Sequence, residues 1–220
     1  LKTSRNIKIA ELIKFDKKFA KFSHVIGTDE AGRGPIAGPV TACALYFPEM
    51  NKETKEAIKF LDDSKRFSSN PFLREELAEE IKKHAVYCIA ESSVREIEKI
   101  NILQASLLAM RRACEGVIDQ LETAQSPILL VDGKFSIPKY NIEQMPVVKG
   151  DSKSACIAAA SILAKVHRDN FMKELAEKFP QYSWNKNKGY PTAAHIEALR
   201  EHGQCIWHRK TFICKVLEKK

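Results

Sequence analysis

Short apolar runs and longer amphipathic stretches alternate along this chain. Residues 25–47 read as strand, turn, strand, with Gly34-Pro35 and Gly38-Pro39 as punctuation. Residues 85–90 (A-V-Y-C-I-A), 127–131 (P-I-L-L-V) and 146–148 (P-V-V) are further strand-length runs. The run at 127–131 is continuously apolar, as a strand covered on both faces requires. Between these runs the period changes. Leu12, Phe15, Phe19 and Phe22 recur near helical spacing with lysines between them, which predicts an amphipathic helix over the N-terminal 22 residues. Helices are also predicted over 51–61 and from Pro71 to about His84, the latter capped by Ser69 or Asn70. A short helix followed by a long one is expected over 94–122, and a long Ala-rich helix over 153–178. A helical tail follows Gly189-Tyr190-Pro191-Thr192. Strands interleaved with helices predict an α/β domain built on a mixed sheet.

Acids sit where the apolar runs stop. Residues 27–34 read G-T-D-E-A-G-R-G, so Asp29 and Glu30 follow Val25-Ile26 at an expected strand end. Asp132 follows residues 127–131, and Asp151 follows residues 146–148. In α/β sheets, ligand sites gather at strand ends. Paired carboxylates suit a hard cation such as Mg²⁺, and a two-metal phosphodiesterase needs several of them around ions about 4 Å apart. Side chains of adjacent strand residues leave on opposite faces, so Asp29 and Glu30 can share a metal only where the strand twists or ends. Gly32-Arg33-Gly34 adds close backbone approach and a guanidinium fork suited to phosphate. Asp169 competes with Asp151 for the last ligand position. An unbroken helix puts the two roughly 27 Å apart, so only one can serve the site. Asp151 is the choice, and Asp169, on an inward face, is expected to pair with a basic side chain.

Charge adds a partner. Lys and Arg number 36 against 28 Asp and Glu, giving a formal net charge of +8, which suits a polyanion such as nucleic acid. The six cysteines form no C-x-x-C pair and sit mostly in apolar runs. With no apolar leader, this points to a reduced, cytoplasmic protein without disulfides. No run approaches the length of a membrane span. Other chemistries are excluded by spacing. Gly32, Gly34 and Gly38 are one residue too long for a dinucleotide fingerprint, and Gly150-Asp151-Ser152-Lys153-Ser154 is not a P-loop. His202, Cys205 and His208 lack a fourth zinc ligand.

These residues together resemble ribonuclease HII over nearly the whole chain. The similarity is carried by residues 29–35 (D-E-A-G-R-G-P), Asp63-Ser64-Lys65, residues 101–105 (N-I-L-Q-A), Val131-Asp132-Gly133 and Val148-Lys149-Gly150-Asp151. It continues through residues 159–166 (A-A-S-I-L-A-K-V), Arg168-Asp169, residues 188–192 (K-G-Y-P-T) and residues 208–212 (H-R-K-T-F). The related type 3 enzymes lack this G-R-G.

The resemblance implies an RNase H-like mixed β-sheet flanked by helices. It divides the chain into an N-terminal helix (1–22), a catalytic core (23–185) and a helical C-terminal segment (186–220). It implies a monomeric endonuclease that hydrolyses the RNA strand of RNA–DNA hybrids and cuts 5′ of single ribonucleotides in duplex DNA, leaving 3′-hydroxyl and 5′-phosphate ends. Asp29, Glu30, Asp132 and Asp151 would hold two Mg²⁺ or Mn²⁺ ions. Gly32, Arg33 and Gly34 would sense the 2′-hydroxyl, the group that separates RNA from DNA, and Tyr190 would pack on the adjoining deoxyribose. Lys65, Lys165 and Arg168 would contact phosphate. Two alternatives have different signatures. A resolvase or integrase-like nuclease would share the acids without needing G-R-G or Tyr190, and a non-catalytic hybrid-binding protein would not need all four acids.

Overall fold

The computed structural model describes residues 2–61, 71–121 and 126–217. Helix α1 (Lys2–Asp16) passes through a 3-10 turn (Lys17–Phe19) into strand β1 (Val25–Ala31) and strand β2 (Val40–Tyr46). Helices α2 (Lys52–Ala57) and α3 (Pro71–His84) precede strand β3 (Val86–Ser92) and helix α4 (Val94–Ile118). Strands β4 (Ile128–Asp132) and β5 (Glu143–Val147) then lead to the long helix α5 (Ala155–Lys178). Helices α6 (Trp184–Asn187), α7 (Ala193–His202) and α8 (Lys210–Leu217) follow.

The strand order is β3-β2-β1-β4-β5. β1 pairs antiparallel with β2, and β2 with β3, while β1–β4 and β4–β5 are parallel. This is the expected mixed sheet. β4 is the covered strand that its apolar run predicted, with Ile128 to Val131 all buried. β5 lies at an edge, where Pro146 removes no ladder donor that the sheet needs.

The period-2 alternation of β2 divides the core. Cys43 and Leu45 face α1, α3 and α5, while Ala42 and Ala44 face α4. α5 lies against the sheet without a spacer. A Cβ on Gly27 would sit 2.4 Å from the Cys156 carbonyl carbon and 2.4 Å from the Ile157 nitrogen. The start of α5 is pinned twice. Ser154 caps it by accepting from the Ile157 N–H (3.2 Å), and Asp16 at the end of α1 accepts from the Cys156 N–H (3.1 Å).

That second contact explains one difference from the expected N-terminal helix. α1 ends at Asp16, whose carboxylate is spent on α5, and Phe22 lies beyond the helix. Phe15, Phe19 and Phe22 still act together, packed against Ile128, Leu130, Val147 and Ile157. The expected short-then-long helix pair over 94–122 is present within α4, where Asn101 (φ 66°, ψ 165°) separates a short first helix from a long second one. The Asn101 side chain restarts it by accepting from the Leu103 and Gln104 N–H groups. The caps read at Ser69 and Asn70, and the loop at 62–65, lie outside the described residues.

The C-terminal segment docks through its own apolar cluster. Tyr182, Trp184, Ala198, Leu199 and Ile213 pack with Ile36, Ala37, Met172 and Leu175. At its centre two buried histidines face each other, with Nε2 atoms 3.2 Å apart. Their partners fix the protons. Trp184 Nε1–H can only donate, so His195 Nε2 accepts (3.0 Å), and His195 Nδ1 donates to the Tyr190 carbonyl (2.9 Å). The Cys205 N–H donates to His208 Nδ1 (3.0 Å), so the His208 proton sits on Nε2. Both rings are neutral. Burial, together with its neighbour His195, pushes His208 down to about 4, and burial also lowers His195.

Two outcomes follow from this packing. Gly27→Ala forces α5 off β1 and is expected to destabilise the fold by about 1–3 kcal/mol, read as a lower denaturation midpoint at an unchanged slope. The histidine pair makes stability depend on acidity. An unfolded histidine takes up its proton near about 6.5, while folded His208 does so only at about 4. Stability from this source is therefore complete above the upper value and is lost as pH falls through that window, by up to about 1.4 kcal/mol per pH unit. His208→Asn keeps an acceptor and a donor but cannot titrate. Urea unfolding should show a shallower loss for it on acidification, and an identical slope in both proteins would discount the pair.

Candidate active site

Asp29 and Glu30 lie inside β1 rather than at its end. The antiparallel ladder with β2 continues through Ala31, pairing Asp29 with Cys43 and Glu30 with Ala42. The parallel ladder with β4 stops earlier, at Thr28–Val131. Asp29 and Asp132 are thus the next residues on two adjacent parallel strands. One carboxylate oxygen from each of Asp29, Glu30 and Asp132 lies within 4.8 Å of the others. Asp29 Oδ1 accepts from the Glu30 N–H (2.7 Å), which bends its carboxylate along the strand. This is how neighbours that leave on opposite faces converge.

Such a cluster is under electrostatic stress. Burial, then the charges of Glu30 and Asp132, raise the Asp29 carboxyl well above its ordinary range. Burial also raises Glu30, against the opposing pull of Arg33. Asp132 is raised by burial and by Asp151, although the Gly150 N–H donates to its Oδ1 at 2.6 Å. Three desolvated carboxyls that resist ionisation together are a donor set suited to hard divalent cations, which supply the missing positive charge. Asp151 is exposed on the 3-10 turn Gly150–Ser152, outside the 4.8 Å group, with its charge felt by Asp132. Asp169 is paired as expected, with Lys165 (2.7 Å) and Arg74 (3.7 Å).

The turn after β1 carries the G-R-G. Arg33 is half exposed, and its Nη1 lies 3.0 Å from Glu30 Oε1. Tyr190 is exposed beside it, and a Cβ on Gly34 would be 3.4 Å from the tyrosine ring. The two loops are tied by the Ile36 N–H donating to the Gly189 carbonyl (2.9 Å). A cavity of about 240 Å³ opens next to the carboxylates, lined by Glu30, Arg33, Asp132, Leu107, Met110 and Phe135.

Arg168 requires a correction. It has no exposed surface to offer a phosphate. Its Nε donates to the Pro39 carbonyl (3.1 Å), Nη1 to Lys188 (3.1 Å) and Nη2 to Ala37 (3.0 Å). It braces the G-R-G and tyrosine loops from inside. It also changes the reason for Gly32. That residue has φ +100°, and a Cβ there would meet Arg168 Nε at 2.1 Å. Close approach at Gly32 is therefore by Arg168. Lys165 is already engaged by Asp169, and Lys65 lies outside the described residues.

One residue of this site escaped the sequence reading. Arg209, also fully buried, donates five hydrogen bonds to carbonyls of the same turn. They run to Gly38 (2.9 Å), Arg33 (3.2 Å), Pro35 (2.8 Å), Gly32 (2.7 Å) and Pro39 (3.0 Å). Burial and the neighbouring Arg168 push it down to about 9, which leaves it charged at neutral pH. In the sequence Arg209 stands within the H-R-K-T-F stretch of residues 208–212, which carries part of the resemblance but does not say that its side chain turns inward.

Known proteins resemble this chain in sequence and in fold. A family model described as Ribonuclease HII matches residues 26–215. The chain is 46% identical over 199 residues to a ribonuclease HII of Fusobacterium nucleatum, covering 90% of this chain and 89% of that one. It is 47% identical over 218 residues to a ribonuclease HII of Caldanaerobacter subterraneus, covering 97% and 85%. The crystal structure of ribonuclease H2 from Pyrococcus horikoshii superposes with a TM-score of 0.66 at 26% identity, over 89% of this chain and 98% of that one. Bst-RNase HIII in complex with Mn²⁺, at 18% identity, shares the fold with a TM-score of 0.69 over 89% and 69%. By sequence and by fold, the chain belongs to the ribonuclease HII family.

Proposed function

We propose that this ribonuclease cleaves the RNA strand of RNA–DNA hybrids and cuts 5′ of single ribonucleotides embedded in duplex DNA, leaving 3′-hydroxyl and 5′-phosphate ends. The observation that carries the reading is the convergence of Asp29, Glu30 and Asp132 within 4.8 Å, beside a G-R-G turn that touches Tyr190.

The three carboxylates would hold divalent cations, Mg²⁺ or Mn²⁺, with Asp151 completing the set from the rim. Two bound ions would make hydroxide available at neutral pH and stabilise the leaving 3′-oxygen. The chain's own groups do the rest. Gly150 holds Asp132 in place through its N–H. Arg33, already against Glu30, has the exposure and the donor fork to meet the phosphodiester. The Gly32–Gly34 turn faces the ribose, where a 2′-hydroxyl can both donate and accept. Tyr190, exposed next to Gly34, offers its ring to the adjoining sugar.

A labelled DNA duplex with one ribonucleotide tests this directly. Cutting 5′ of the ribonucleotide should require Mg²⁺ or Mn²⁺ and disappear with chelator and on an all-DNA duplex. No cutting of this duplex or of a long hybrid by folded protein would remove the proposal. Cutting of branched all-DNA would favour a resolvase.

The carboxylate stress gives a second test. Asp29→Asn should lower kcat/KM by about 10²-fold or more, as loss of an electrostatic stabiliser does. Without metal it should also raise the thermal midpoint near neutral pH. The folded Asp29 carboxyl is raised, so ionising it opposes folding, and that penalty grows as pH rises above the unfolded value. A metal-free variant less stable than the parent would argue against like-charge stress at this site.

A further inference from the structure

The five bonds from Arg209 do more than attach a tail to a core. They dictate which way the peptide groups of the G-R-G turn point. A trans peptide is planar, with its C=O and the following N–H on opposite sides, and no peptide bond among the described residues is cis. Arg209 Nη2 draws the Gly32 carbonyl inward (2.7 Å), so the Arg33 N–H turns outward. Arg209 Nη1 draws the Arg33 carbonyl inward (3.2 Å), so the Gly34 N–H turns outward as well. The next inward carbonyl, Pro35 (2.8 Å), turns the Ile36 N–H away, and that group is taken by Gly189. Two consecutive N–H groups therefore point away from the guanidinium, next to Arg33 and the exposed Tyr190 ring.

We propose that Arg209 is a positioning residue for ribose recognition: by gathering the carbonyls of Gly32 and Arg33 from behind, it aims the N–H groups of Arg33 and Gly34 at the 2′-hydroxyl and its neighbouring phosphate. The inference rests on the ribonuclease reading above. Arg209 touches no substrate and acts only through the turn. A guanidinium suits this role because its donors lie in a fixed planar fork. Lysine presents three donors on one atom and cannot serve carbonyls spread from Gly32 to Pro39. The charge matters too. Arg209 and Arg168 both donate to the Pro39 carbonyl, so two cations stand behind the turn, shielded from solvent. Buried charges are screened by salt far less than surface charges, so their field favours an anion in front of the turn.

The test compares the parent enzyme with Arg209→Lys on duplexes carrying one 2′-hydroxyl or one 2′-fluoro sugar. Cutting by the parent tests the ribonuclease reading separately. The variant should lose about 10- to 100-fold in kcat/KM on the 2′-hydroxyl duplex, the range expected when positioning rather than chemistry is disturbed. Its preference for 2′-hydroxyl over 2′-fluoro should shrink, while Mn²⁺ titration by calorimetry still matches the parent. A purely structural role would lower stability and leave that preference unchanged. A folded variant with parental kcat/KM, or with reduced kcat/KM and an unchanged preference, overturns the proposal. If Arg209→Lys does not fold, amide hydrogen exchange in an Asp29→Asn background decides. The Arg33 and Gly34 N–H groups should exchange freely in the free protein and become protected on the ribonucleotide-containing duplex. Protection already present without nucleic acid, or unchanged by it, overturns the proposal equally.

Discussion

Mutual repulsion among Asp29, Glu30 and Asp132 is the constraint around which the molecule is arranged. Left to themselves, three carboxylates in a desolvated space separate or take up protons. Here they cannot separate. β1 is paired on both sides up to Thr28 and on the β2 side through Ala31, and β4 ends at Asp132 itself. The sheet is in turn locked by α5, whose first turn lies against Gly27 too closely for any side chain. Donors are placed where they relieve the stress without removing it. Glu30 supplies its own N–H to Asp29, Gly150 supplies one to Asp132, and Ser161 reaches Asp29 from α5. The remaining deficit is one of positive charge, which the divalent cations proposed for this site would supply.

The turn that follows presents the opposite problem. It must hold an irregular backbone next to the carboxylates, where unpaired carbonyls would be costly to bury. Arg168 and Arg209 solve this from two distant parts of the chain, with eight donated hydrogen bonds and, among the described residues, no salt bridge to an acid. A buried guanidinium lacking partners would be severely destabilising. One saturated with carbonyls is tolerable, since hydrogen bonds to a charged group contribute about 1.5–3 kcal/mol each. Leaving acids out of this network has a consequence. The positive charge meets acids only through space, from Asp169 and Glu91 at Arg168 and from Glu98 at Arg209.

Much of this was legible in the sequence, and the exceptions share a physical origin. A continuous apolar run marked β4, because burial on two faces demands Val, Ile and Leu, whereas β5 at the edge runs over Glu143–Val147, mostly ahead of the apolar run expected at 146–148. The acids were legible because each follows such a run. Asp169 was expected to pair with a basic side chain, and it does so with Lys165 and Arg74. What failed depended on where a side chain points. Arg168 and Lys165 are three residues apart on one helix, yet one is sealed inside and the other lies partly at the surface. Arg209 belongs to the site only because the tail returns across the G-R-G turn, a contact spanning more than 170 residues that no local pattern encodes. The extension of β1 past its acids was hidden for a similar reason. Ala31 reads as the start of a turn, but its ladder partner Thr41 keeps it in the sheet.

These long-range contacts divide the labour between two parts of the chain. The sheet and α5 supply the charged centre, with every member fixed by ladder pairing or helix packing. The residues proposed to distinguish ribose from deoxyribose are held from the C-terminal side. Arg209 grips the turn, the Ile36 N–H meets the Gly189 carbonyl, and His195 anchors the Tyr190 carbonyl through a buried chain of neutral rings. Only Ala31 lies between Glu30 and Gly32, so the two parts meet within a single residue of backbone. A disturbance in the C-terminal segment therefore reaches the carboxylates through β1 itself. The turn proposed to read the sugar and the strand that places the acids are therefore continuous, although the groups that hold them come from opposite ends of the sequence.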